Sequence, residues 1–206
     1  YWAKNDSPEE YQKVRRETVD FYVDQTVSAG GPATEWDLAS VLHQLFKDKF
    51  VCVSISRNQW YECGEHKWHD IDSGNTLRLF ISKTMHTEYL TRIKDATTRM
   101  QTMEQTDSSY DALRKRTSRL ADIAMSLKKT QWKNNIMREA RELFYDRDFM
   151  DKLDCNPYLM CFNNGVIDFK EKCFRKGQPD DYLSMSTGID YVPLDQASQS
   201  KEIAEI

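Results

Sequence analysis

FNNGVIDFKEKCFRKGQPDDYLSMSTGIDYVPLD, residues 162–195, interrupts a chain that until then is written largely in helical periods. Asn163-Asn164-Gly165 and Lys170-Glu171-Lys172 are turn sequences, since Asn and Gly accept the backbone angles that tight reversals demand. They separate short alternating pieces at 159–162, 166–169 and 173–174, which predicts a small β meander that leaves at Pro193. Helices followed by a terminal meander make the fold class α+β: a mostly helical domain with a small winged-helix-like hairpin and a C-terminal β meander.

Upstream, Ser7-Pro8-Glu9-Glu10 is a helix start, with Ser7 as N-cap, Pro8 at the first helical position and Glu10 closing a capping box. The helix runs to about Val27, and its expected inward stripe is Tyr11, Val14, Thr18, Phe21 and Tyr22. Ala29-Gly30-Gly31-Pro32 breaks it, and Thr34 with Asp37 begins another. There Leu38, Val41, Leu42, Leu45 and Phe46 keep the spacing of an amphipathic helix, and the β-branched run 50–55 predicts a strand. Residues 59–62 and 67–70 form a hairpin around Cys63-Gly64-Glu65-His66, with Gly64 expected to supply a positive φ and Trp60 and Trp68 a core pair. Helix plus two-stranded wing resembles half of a winged-helix unit. From Asn75 the stripe Leu77, Ile81, Met85, Tyr89, Ile93, Ala96, Met100 and Met103 predicts a long helix, and Thr106-Asp107-Ser108-Ser109 interrupts it. Leu113, Leu120, Ile123, Ala124 and Leu127 predict the next helix, then Trp132, Ile136, Ala140, Leu143 and Phe144 another after Thr130. The expected division is 1–72 for the helical, winged-helix-like part, 73–155 for a helical bundle, 156–194 for the meander, and 195–206 for the start of a connector. Ser198 or Ser200 would cap that connector's helix.

The chain has 206 residues and a net charge of −4, enough apolar material for one sizeable core or two small ones. No window approaches the roughly 18 uncharged apolar residues of a spanning helix, and YWAKNDSPEE lacks the apolar centre of a signal peptide. A soluble intracellular protein is expected. Five cysteines (Cys52, Cys63, Cys155, Cys161, Cys173) contain no CxxC pair, which predicts reduced, structural thiols. Tyr1 in place of Met and the closing SQSKEIAEI both suggest cut ends, so that a missing motif would lie outside this window.

Few constellations carry chemistry. Cys63, His66 and His69, with Cys52 upstream, have the ligand types of a zinc or copper site. His66 and His69 are an odd number apart, however, and so point to opposite faces of a regular strand. Asp180-Asp181 could chelate Mg²⁺ or simply cap a turn. No GxSxG, HExxH or GxxxxGK[ST] occurs, so no nucleophile elbow, zincin helix or phosphate loop is written here. Neither a catalytic residue nor a metal ligand is assigned. Charge is the stronger signal. Between Arg114 and Arg147 stand ten basic residues against four acidic ones, in a chain that is acidic overall. Arg114, Lys115, Arg116, Arg119, Lys128, Lys129 and Lys133 are the candidate DNA contacts, and a solvated helix face is the competing reading. Trp132 is the one aromatic within this stretch placed to stack on a base, although its place in the apolar stripe favours the core.

The opening stretch, preceded by WKNNIMREARELFYDRDFMDKLDCNPYLMC, resembles the end of the helicase-associated N-terminal domain of poxvirus-type primase-helicases of large nucleocytoplasmic DNA viruses. The likeness rests on Asn134-Asn135, Phe149, Asp154 with Pro157, the 164–169 strand beginning Asn164-Gly165, Pro179-Asp180-Asp181-Tyr182 and Asp190-Tyr191-Val192-Pro193. Asp37-Leu38-Ala39 and the Trp60…Gly64…Trp68 hairpin look like the same domain's earlier part. The resemblance implies a collar or adaptor between a primase and a superfamily 3, AAA+ helicase that works as an ATP-driven hexamer. It therefore implies DNA and sister subunits as partners, other replication proteins beside them, ATP and Mg²⁺ in a downstream domain, and a place at viral replication sites in host cytoplasm or nucleus. Asn164, Gly165 and Asp168 match the family's most recognisable motif and are expected to be turn and strand formers. The rival expectations are a docking or oligomerisation module without DNA binding, and a metal-dependent nuclease built on Cys63, His66 and His69.

Overall fold

The computed structural model describes residues 7–28, 31–104 and 108–193. Two helices, α1 (Pro8–Ser28) and α2 (Glu35–Phe46), lead into an antiparallel meander of β1 (Phe50–Ser54), β2 (Gln59–Cys63) and β3 (Trp68–Ile71). A 3₁₀ turn (Asp72–Gly74) opens α3 (Asn75–Phe80), which continues through a π turn (Ile81–Met85) into α4 (His86–Gln101). After α5 (Ser108–Ser126), α6 (Thr130–Leu143) and the short α7 (Phe149–Lys152), a second antiparallel meander follows: β4 (Leu159–Phe162), β5 (Gly165–Asp168) and β6 (Cys173–Arg175). The α+β architecture expected from the sequence is the one observed. The connector expected at 195–206 lies outside the described residues, as do Thr106 and Asp107 of the break expected at 106–109, whereas Ser108 and Ser109 open α5 instead of interrupting it.

The helices pack in pairs, α2 against α1 and α6, and α4 along α5. Thr34 opens α2 with a reciprocal capping box: its hydroxyl accepts from the Asp37 amide, and Asp37 Oδ2 accepts from the Thr34 amide at 3.0 Å. The valine ladder Val19, Val23 and Val27 buries α1 against Leu38, Leu42, Tyr89, Leu120 and Ile136 in the main core. This replaces the expected stripe, for Val14 and Phe21 are more than half exposed. Three cross-helix bonds hold the face: Arg16 to Glu88, Arg92 to Asp20, and Arg116 to Asp24.

The first sheet divides its side chains by the period of two. Phe50, Cys52, Trp60 and Ile71 face the helices, whereas Val51, Tyr61, Cys63 and Trp68 face a second cluster with Phe149 and Tyr182. Trp60 and Trp68 are thus both buried but occupy different clusters, not one core pair. The expected two-stranded wing is a three-stranded meander, and Phe144–Asp146 extends its edge through bonds from the Cys52 amide to Phe144 O and from the Asp146 amide to Cys52 O. Gly64 does not adopt a positive φ; Asn58, in the β1–β2 turn, does. A Cβ at Gly64 would stand 3.1 Å from the exposed His69 ring.

The segment that follows the second meander docks on the free face of the first, where Tyr182 joins Phe149 and Leu153. Trp68 donates its amide to Leu183 O and its indole N–H to Pro179 O. Gly177 N donates to His66 Nδ1 at 3.2 Å, and Asp154 accepts from the amides of Ser184 and Met185.

Candidate nucleic-acid interface

The basic segment occupies α5, the turn at 127–129 and the start of α6. Because α5 lies along α4 while α6 lies along α2, that turn is a corner between two helix pairs. Arg114 and Ser126 stand about 18 Å apart along the helix axis at 1.5 Å per residue, so the seven candidates are spread rather than clustered.

Their fates differ. Arg116 pairs with Asp24, and Arg119 Nη1 donates to Val27 O at 2.8 Å, the carbonyl left over near the end of α1. Lys128 Nζ donates to Ser82 O at 2.6 Å, while Ser82 Oγ donates to Leu127 O at 3.0 Å. These three cations therefore lock helices together. Arg114, Lys115 and Lys129 are exposed, and Lys133 is half-buried. Arg119 and Lys128 are exposed as well, but their charged ends are committed to Val27 O and Ser82 O.

The π turn adds groups that the sequence did not single out. Lys83 and His86 line a shallow hollow with Ser82, Thr87 and Lys128. Burial first, and then the Lys128 ammonium, holds the His86 imidazole below its ordinary pKa, so the ring is the neutral partner in this hollow near pH 7. An unbroken i, i+4 stripe passes through Ile81 and Met85, and so gives no sign of the extra residue of a π turn.

The metal-like trio is not assembled. Cys63 is buried with its thiol toward Gly64 O, His66 spends Nδ1 on the Gly177 amide, and His69 is exposed. Among the described residues no group of three or more His, Cys, Asp or Glu could hold a metal ion. Asp181 is occupied by two 2.8 Å bonds from Arg175 and one from the Gln178 amide. All five cysteines are free, and burial pushes the Cys52 and Cys161 thiols up, away from the thiolate form that reactivity needs.

The turn motif braces the meander. Asn164 brackets Tyr191, donating to its carbonyl and accepting from its amide at 2.9 Å each. Gly165 lies under Phe174 and the Arg175 carbonyl. Asp168 accepts from the Lys170 and Glu171 amides and from Arg175. Upstream, Asn134 accepts two bonds from Arg78, and Asn135 donates to Glu35. Among the described residues no helix is long and apolar enough to cross a membrane.

Comparison with known proteins places these features in context. Residues 39–205 match the family described as D5 N terminal like. The chain is similar to "Putative helicase L207/L206" of Acanthamoeba polyphaga mimivirus, with 30% identity over 203 residues that make up 97% of this chain and 20% of that protein. It is 30% identical over 183 residues to "Putative helicase 022R" of Frog virus 3, covering 75% of the chain and 19% of the relative. To "Putative primase C962R" of African swine fever virus, isolate Pig/Kenya/KEN-50/1950, it is 23% identical over 181 residues, covering 81% and 19%. The chain spans about a fifth of the length of these relatives.

Proposed function

This chain belongs to the D5 N-terminal-like family, and from that membership we propose that it is a non-catalytic, DNA-contacting module of a viral primase-helicase. In this reading it positions a strand, and neighbouring copies in a hexameric ring, for a helicase domain that uses ATP and Mg²⁺ elsewhere in the protein. The relatives' names support the setting in viral DNA replication. The carrying observation is the outward charge on α5 and α6: Arg114, Lys115 and Lys129 exposed, with Lys133 beside them, in a chain of net charge −4. Cations that project into solvent release condensed counterions when they meet phosphates, which gives binding its salt dependence.

The test is fluorescence anisotropy of a single-stranded oligonucleotide with the chain at several salt concentrations. Four phosphate contacts predict a slope of log K against log salt near about −3. Reversing Arg114, Lys115, Lys129 and Lys133 to Glu abolishes the binding, and Arg116→Ala lowers thermal stability while leaving the slope. Affinity unchanged by the fourfold reversal would remove this reading. A docking module without DNA binding is favoured by one observation, the exposed apolar side chains Phe169, Met185 and Ile189 around the second meander. Sedimentation separates the two, because a docking module self-associates and ignores the oligonucleotide.

A further inference from the structure

Between the end of α1, the Gly31–Ala33 loop, α5 and the first turn of α6 lies a cavity of about 180 Å³. Its apolar lining is Pro32, Ala33, Ile123 and Trp132, and Arg119 and Asp122 add charge. Arg119, Asp122 and Ile123 share one helix face at spacings of three and four, so α5 presents a polar edge and an apolar floor to the same space. Trp132 differs from the tryptophans of the first sheet. Trp60 donates its indole N–H to Asn58 and Trp68 to Pro179, whereas among the described residues Trp132 has no such acceptor, although its ring packs against the main core.

We propose that this cavity receives one unpaired base of a DNA strand whose phosphates run along Lys129 and Lys133. The inference rests on the DNA-contacting reading above and adds to it the part of the ligand that enters the protein. Size argues for a base alone. The volume falls below the roughly 300–1,000 Å³ of pockets that enclose drug-sized ligands, so a planar ring system fits while sugar and phosphate stay outside. Charge argues for the track: Lys129 immediately precedes α6 and Lys133 lies one turn on, at the i, i+4 spacing, on the helix that carries Trp132. An aromatic wall next to a cationic track is the arrangement by which proteins hold single strands with little regard to sequence.

The experiment compares three twelve-residue strands of equal charge, oligo-dC, oligo-dT and a wholly abasic strand, bound to the full chain and to its variants by anisotropy. Loss of a stacked base weakens binding roughly 5- to 150-fold, so the abasic strand is expected to bind that much more weakly than oligo-dC. Trp132→Leu removes most of this difference while keeping the salt slope, and oligo-dT is expected to exceed the abasic strand as oligo-dC does, because every base has a stacking face. Ala33→Phe, which plugs the cavity from its loop side, repeats the Trp132 result and serves where Trp132→Leu lowers the melting temperature too far. Equal affinity for abasic and base-bearing strands overturns the base pocket and leaves the charged track standing. If the wild-type chain binds no strand at all, both readings fall.

Discussion

Asp168 shows how a single carboxylate earns its position in the second meander. The Glu171 amide first, with Arg175 and the Lys170 amide, holds its carboxyl below the ordinary aspartate pKa, against the opposing effect of burial. A folded-state pKa below the unfolded one means that the stabilisation is present above the unfolded value, near about 4, and is lost as pH falls through the folded value. The Asp168 contribution should therefore be constant above about pH 5 and be lost below about pH 4, so that in denaturant titrations Asp168→Asn flattens the acid-side slope without changing the slope between about pH 5 and 7. The sequence had marked Asn164, Gly165 and Asp168 as turn and strand formers, but the reason for the glycine lies elsewhere. A Cβ at Gly165 would stand 2.5 Å from Phe174 Cζ and 2.7 Å from Arg175 O, so the constraint comes from the neighbouring strand β6, which a reading of local turn chemistry does not see.

Helix α1 carries two candidate apolar stripes, and its own periodicity cannot rank them. Tyr11, Val14, Thr18, Phe21 and Tyr22 obey helical spacing as well as Val19, Val23 and Val27 do. The valines win because α2 and α5 close over that face, where Thr26 Oγ1 stands 3.2 Å from the buried Tyr89 hydroxyl and Arg16, Asp20 and Asp24 reach their partners on α4 and α5. Burial drives the Tyr89 phenol well above its ordinary pKa, so it stays a neutral hydrogen-bonding group. Val23→Ala should cost about 2–3 kcal/mol from lost burial and the cavity left behind, while Phe21→Ala should stay within about 0.5 kcal/mol. Urea unfolding of the two variants measures both, and the reverse order would return the helix to the other face. By contrast, α2 was legible to the residue, since its capping box and its apolar stripe are both local and agree with each other.

Among the described residues, the first sheet is covered on both sides, by helices on one face and by α7 with the segment around Tyr182 on the other. Asp154 is the fastening between them: it accepts from the Ser184 amide at 2.7 Å and from the Met185 amide at 3.3 Å, and it also takes the Ser184 hydroxyl. Hydrogen bonds to an ionised group each contribute about 1.5–3 kcal/mol. Asp154→Ala should therefore loosen the segment around 182–185, seen as faster amide exchange there, with α2, α4 and α6 still protected. Uniform deprotection of the whole chain would instead show that the meander and the helices unfold as one unit.

By itself the sequence determined the order of the longer helices and of the strands, though not the short α7, and with it the α2 cap, the turns of the second meander and the family to which they point, because each is encoded within a few consecutive residues. Only the tertiary structure decided which face of α1 is buried, that Trp60 and Trp68 serve different clusters, and which cations bond to distant parts of the chain. Arg116, Arg119 and Lys128 look no different from Arg114, Lys115 and Lys129 in a list of charges. What separates them is the position of Asp24, Val27 O and Ser82 O, groups 46 to 92 residues away along the chain, and such distances are set by packing rather than by local spacing.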